Sequence, residues 1–145
     1  PERFDRGWKS KDRYSMDWYY PILCGVMLGE DAEERLNYRE KDFIVEGLGC
    51  KCVEEEPWIT VAESSELVIA LAACDQNDRA KEIFSWLHQW KDPKDNLYWT
   101  GYVYPDNAFW PVEKPTWTAS AVLLAADALF KLSDASNLFL KDWSK

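Results

Sequence analysis

The chain has very little histidine: one residue, His88, in 145. That removes most zinc arithmetic, because Cys/His sites need several imidazole or thiolate ligands at fixed spacings. Basic charge is also scarce, with 17 Lys and Arg against 26 Asp and Glu and a formal charge of −9. Phosphate backbones are bound by clustered cations, so nucleic acid is excluded as a partner. Anionic membrane surfaces are disfavoured for the same reason. No apolar run approaches the roughly 20 residues that a membrane span requires, and no signal-peptide pattern opens the sequence. The four cysteines are few and badly placed for bridges. Cys50 and Cys52 are too close for a relaxed disulfide, while Cys24 and Cys74 sit in apolar runs as expected small core residues. A reducing, cytoplasmic compartment is the expectation. Neither a metal nor a cofactor is implied.

Aromatic residues, by contrast, are abundant. Nine Trp, seven Tyr and six Phe make 15% of the chain. Trp is seldom left in solvent, so these residues must fill a core, line a groove or form an interface. At 145 residues the sequence suits one domain, spanning 1–145, with a sizeable core.

Residues 1–14 read as a polar lead-in arm carrying Phe4, Trp8 and Tyr14. A helix near 17–28 follows, with Pro21 delaying its start or kinking it and Gly29 stopping it. Asp31 and Glu34 form a capping box for a charged helix over about 32–42. Thr60 and Glu63 form a second capping box, which opens a helix running to about Cys74. Its segment Leu67–Ala73 is apolar on every face and therefore buried all round. Asn77 caps an amphipathic helix at 78–90. Thr116 to about Leu132 is another helix apolar all round, and Ser133 caps a last short one at 134–142. Residues 43–59 and 91–115 read as long loops. Three buried-plus-amphipathic helix pairs repeat at about 45 and then 55 residues, the range of helix-pair repeats. The expected fold is all-α, an (α/α) toroid or half-toroid of about three helix pairs. Its long loops gather at one mouth beside the N-termini of the inner helices, where a site belongs.

The stretch Glu113–Ala126 (EKPTWTASAVLLAA), together with Trp58–Glu63 and Asp17–Pro21, resembles the repeats of the squalene–hopene cyclase and prenyltransferase-like toroid proteins. The resemblance covers roughly residues 13–140. It implies a helical toroid that handles an isoprenoid or another hydrophobic substrate. The chemistry does not carry over. The Asp-x-Asp-Asp acid of the cyclases and their Gln-x-x-x-Gly-x-Trp repeat are absent. So is the Asp/Cys/His zinc set of the protein prenyltransferases. A full toroid holds about six helix pairs, so three pairs imply a homodimer or part of a longer chain.

Four carboxylates fall at the expected mouth: Asp17, Glu63, Asp106 and Glu113. They are the catalytic candidates, for acid–base work on a glycosidic bond or for protonating an alkene. Each has a plainer reading. Glu63 serves its capping box, Asp17 an N-cap, and Asp106 the Pro105-Asp106-Asn107 turn. Glu113 stands out for its two Pro and two Trp neighbours. Trp18, Tyr20, Trp58, Trp99, Tyr102, Trp110 and Trp117 are the substrate-binding candidates. Their ring faces stack on sugars or stabilise a cation, and equally pack as a lid. The Glu54–Glu56 run reads as a solvated charge run and His88 as a surface residue. Two alternatives to the isoprenoid reading stand: a carbohydrate-active (α/α) toroid, and a non-catalytic interaction module.

Overall fold

A computed structural model describes residues 10–140. Helix α1 covers Ser15–Leu23 and α2 covers Gly29–Phe43. The chain then forms β1 (Ile44–Val45), β2 (Gly49–Cys50) and β3 (Trp58–Thr60), and enters α3 (Val61–Ala73). Helix α4 (Asn77–Leu87) runs into a 3-10 turn at His88–Trp90. Strands β4 (Gly101–Val103) and β5 (Ala108–Phe109) precede α5 (Thr116–Phe130) and the four-residue α6 (Asn137–Leu140). The expectations for Phe4 and Trp8 lie outside the described residues.

Helix α3 is the centre of the molecule. Ten of its thirteen residues are buried, and α1, α4, α5 and α6 all pack on it. No β-branched or polar stripe faces water over Leu67–Ala72, as its uniformly apolar sequence requires. Leu67 and Val68 are fully enclosed with Ile83 and Leu87 of α4 and Val122 and Ala125 of α5 close to the same core.

The expected all-α toroid is not what the chain forms. The two long connections fold into antiparallel sheets, so the protein is mixed helix and sheet. Strands β1 and β2 pair through Ile44↔Cys50 and Val45↔Gly49. Strand β3 pairs with β4 through Trp58↔Val103 and Thr60↔Gly101, and β4 pairs with β5 around the Pro105–Asn107 turn. Each strand has only two or three residues. That is too short for a period-two pattern to show in the sequence, and the pairing partners of β3 lie about 45 positions away.

Local details also differ. Pro21 lies inside α1, which ends at Leu23, and Gly29 (φ +57°) begins α2 rather than ending α1. The N-cap of α1 is Tyr14, which places Asp17 in the first turn. The N-cap of α2 is Leu28, so Asp31 caps nothing. Gln76 rather than Asn77 precedes α4, while Ser133 does cap its turn by accepting from the Ala135 N–H at 3.2 Å. Helix α5 buries only the face carrying Thr118, Val122, Ala125, Ala128 and Leu129. Leu123 on its other side is 70% exposed. Of the cysteines, Cys50 is the buried one and Cys24 is exposed; all four are free thiols.

Candidate functional site

The long connections meet at the N-terminal ends of α1, α3 and α5. Tyr14 bridges Val53, Lys51 bridges Ile59, and the Ser15 N–H donates to the Cys52 carbonyl at 3.0 Å. The Val61 N–H donates to the Thr100 carbonyl at 3.0 Å, and the Thr100 N–H to the Glu113 carbonyl at 3.1 Å. A continuous hydrogen-bonded seam therefore ties the three helix starts together.

Two carboxylates rise from the start of α3. Glu63 and Glu66 are three positions apart, which puts them on one helix face with Cβ atoms about 5–6 Å apart. The expected Thr60/Glu63 capping box is not formed. Thr60 makes no side-chain cap, and its carbonyl accepts instead from the Ser64 hydroxyl at 2.6 Å. Glu63 is thereby released from capping, and its buried Oε2 has no hydrogen-bond partner among the described residues. A buried carboxylate oxygen without a donor is costly unless something else supplies one.

Glu66 is held from α1. The Tyr19 hydroxyl donates to Glu66 Oε2 at 2.9 Å, and the Tyr20 hydroxyl lies 3.4 Å from Oε1. Burial raises the Glu66 carboxyl above the ordinary carboxylate range, the charge of Glu63 raises it further, and the two tyrosine hydroxyls partly offset this. Tyr19 is wholly buried, and its phenol is raised well above its usual value, first by burial. Tyr20 is pushed up to about 12, again first by burial and then by Glu66. Cys52 faces Glu63 and is pushed up to about 12 by burial and then by that carboxylate. Both phenols and the thiol thus stay protonated donors at neutral pH.

Two hollows flank this group. One, of about 250 Å³, is lined by Glu66, Tyr20, Leu23, Ile69, Ala121 and Leu124 among others. The second, of about 530 Å³, includes Tyr14, Met16, Asp17, Pro21 and Val26. Tyr20 and Cys24 belong to both, so they form the partition.

The expected site residues scatter relative to this centre. Asp17 lines the larger hollow, with Arg35 Nη2 at 3.8 Å from its carboxylate. Asp106 and Glu113 are exposed and line neither hollow; Asp106 serves the β4–β5 turn. Of the seven expected substrate-binding aromatics, Tyr20 alone lines either of these two hollows. Trp18 is buried, stacked on Phe43 at 5.6 Å, and donates to the Arg35 carbonyl. Trp99 stacks on Phe109 at 4.9 Å and Tyr102 on Trp90 at 4.4 Å, as packing under the sheet. Trp58 donates to the Trp110 carbonyl at 2.8 Å and meets its ring edge-on. Trp110 and Trp117 remain 57% and 52% exposed. Sequence reasoning missed Glu66 and Tyr19. The signal was present, since Glu63-x-x-Glu66 is a carboxylate pair at helical spacing, but the capping-box pattern explained Glu63 and hid it.

No three His, Cys, Asp or Glu among the described residues are placed to hold a metal ion. No helix among them is long and apolar enough to cross a membrane.

No protein-family profile matches the chain. Over 130 residues, 90% of this chain, it is 48% identical to the MMP endo-(1,4)-3-O-methyl-alpha-D-mannosidase of Mycolicibacterium hassiacum. The matched region spans 36% of that relative, so the chain corresponds to about a third of its length. Similarity at this level to a mannosidase overturns the resemblance to squalene–hopene cyclases and prenyltransferase-like proteins, and with it the isoprenoid reading. The motif behind that resemblance, a Pro-containing loop before a Thr/Ala/Leu helix, reflects helix starts of a kind many folds share. The carbohydrate-active alternative fits the relative; its toroid does not fit the sheets.

Proposed function

We propose that this chain carries an acid–base carboxylate pair of a glycoside hydrolase acting on α-linked mannosides that bear 3-O-methyl groups. The observation that carries the reading is the Glu63–Glu66 pair. Burial, joined by the charge of Glu63, raises the Glu66 carboxyl, and a buried Glu63 oxygen has no hydrogen-bond partner among the described residues. Glycosidic cleavage calls for two carboxyl groups in unequal environments. The 48% identity to an endo-mannosidase supports the substrate class.

In this reading Glu66 is the proton donor. Its carboxyl proton passes to the glycosidic oxygen as the bond from that oxygen to the anomeric carbon breaks. Glu63 takes a proton from the water whose oxygen bonds to the anomeric carbon. Tyr19 and Tyr20 are positioning residues that hold the Glu66 carboxyl across the packing of α1 on α3. Asp17, on the wall of the larger hollow, and Trp110 and Trp117, exposed beyond the helix starts, are proposed contacts for the rest of the saccharide. Tyr20 belongs to the same binding group.

The test is hydrolysis of an α-(1→4)-linked 3-O-methylmannose oligosaccharide by the wild-type chain, Glu66→Gln and Glu63→Gln. Loss of a general acid or base costs about 10²–10⁴-fold in rate, so each variant should fall by that factor with its fold intact by circular dichroism. Full activity in either variant removes that residue from the chemistry.

A further inference from the structure

The hollow beside Glu66 has an uneven lining. Its polar groups, the Glu66 carboxylate and the Tyr20 hydroxyl, are bonded to each other at one side. The remaining wall is Leu23, Ile69, Ala121, Leu124 and Phe139, with the thiol of Cys24. None of those five side chains can accept or donate a hydrogen bond. A bare sugar presents a hydroxyl at most of its carbons, and a hydroxyl pressed against such a wall loses its hydrogen bonds to water without replacement. A methyl ether has no proton to donate and adds apolar surface that gains by leaving water.

We infer that the wall formed by Leu23, Ile69, Ala121, Leu124 and Phe139 is a subsite that selects methyl-ether groups on the saccharide whose glycosidic bond lies at Glu66. The inference rests on the glycoside reading of Glu66 and adds the residues that distinguish a methylated from an unmethylated chain. The position of Leu124 decides this. It lies on α5 and is 45% exposed, so it presents an apolar edge to the hollow without being needed to fill the core. Ala121, one turn earlier on the same helix, leaves room beneath it.

The experiment compares two probes, an α-(1→4)-linked 3-O-methylmannose trisaccharide and its unmethylated counterpart. Each is titrated calorimetrically into the Glu63→Gln form, in which turnover is expected to be slowed by about 10²–10⁴-fold and whose changed residue does not line this hollow. The methylated probe should bind more tightly by about fourfold for each methyl buried. In the Glu63→Gln, Leu124→Asn double variant the ratio should fall toward one. In the Glu63→Gln, Leu123→Asn control, altered at an exposed neighbour outside the hollow, it should persist. Saturation-transfer NMR on the methylated probe should place the strongest protein contact on the O-methyl protons. Equal affinity for the two probes would overturn the subsite while leaving the glycoside reading in place. A preference that survives Leu124→Asn would overturn the assignment of this wall. Failure of both probes to bind would overturn the glycoside reading and the subsite together.

Discussion

The Tyr19 hydroxyl donates to Glu66 Oε2 at 2.9 Å, joining the first helix to the third across 47 positions of sequence. Tyr19 is fully enclosed, stacked edge-on near Trp18 and Tyr20, so its hydroxyl has little freedom to leave. The bond favours the ionised Glu66 and works against the burial that raises the group.

Tyr19→Phe removes that donor and keeps the ring. The Glu66 carboxyl should rise further, because the interaction that lowers it is gone. In a pH–rate profile the alkaline limb, set by the group that must be protonated, should move to higher pH. Side-chain carboxyl ¹³C shifts of Glu66 should titrate later as well. A limb that stays in place or moves to lower pH would show that this bond does not tune the acid.

Glu66 also links stability to pH. Its folded-state pKa is raised, so the folded chain holds the proton more tightly than the unfolded one. The stability this gives is fully present below the unfolded value of about 4.3 and is lost as pH rises through the folded value. Glu66→Gln has no such titration. Its thermal midpoint relative to wild type should therefore climb with pH across that window, and a flat difference would contradict the buried-carboxyl account.

Gly101 pairs with Thr60 where β4 meets β3. A Cβ there would stand 2.6 Å from the Ile59 carbonyl oxygen and would collide with the Trp58 indole N–H. Gly101→Ala should break the Trp58–Trp110 hydrogen bond and splay the three-stranded sheet. Its readout is a loss of at least about 1–3 kcal/mol in urea unfolding, the range for overpacking, with a red-shifted Trp emission. An unchanged unfolding midpoint would mean that the strands can separate at no cost.

Leu67, fully buried in the middle of α3, tests whether that helix is the central support. Leu67→Ala should cost about 2–5 kcal/mol in equilibrium unfolding, from lost transfer energy plus the cavity left behind. A cost within the range of surface substitutions, under about 0.5 kcal/mol, would place α3 at the periphery.

Helix positions were legible because a helix is specified within its own segment. The apolar run Leu67–Ala73 and the spacing of Ala80, Ile83, Phe84 and Leu87 place α3 and α4 within a few residues of where they lie. The strands were not, since two- and three-residue strands carry no period of their own. The candidate site was half legible. Glu63 and Tyr20 were among the candidates, though Glu63 read first as a capping residue and Glu113 stood out instead, and Glu66 and Tyr19 looked like ordinary members of a helix face.

By itself the amino-acid order determined which segments coil into helices, and that the chain is acidic and has a single histidine. Those properties depend on spacing along a few turns and on composition. Tertiary structure alone decided that Trp58 pairs with Val103, that one side of α5 stays in water, and that Thr60 makes no side-chain cap while a buried Glu63 oxygen finds no partner among the described residues. It also decided that the Glu66 carboxyl is raised. Desolvation at Glu66 comes from α1 closing over α3 with two tyrosine hydroxyls facing it, and such an environment exists only once distant segments have met.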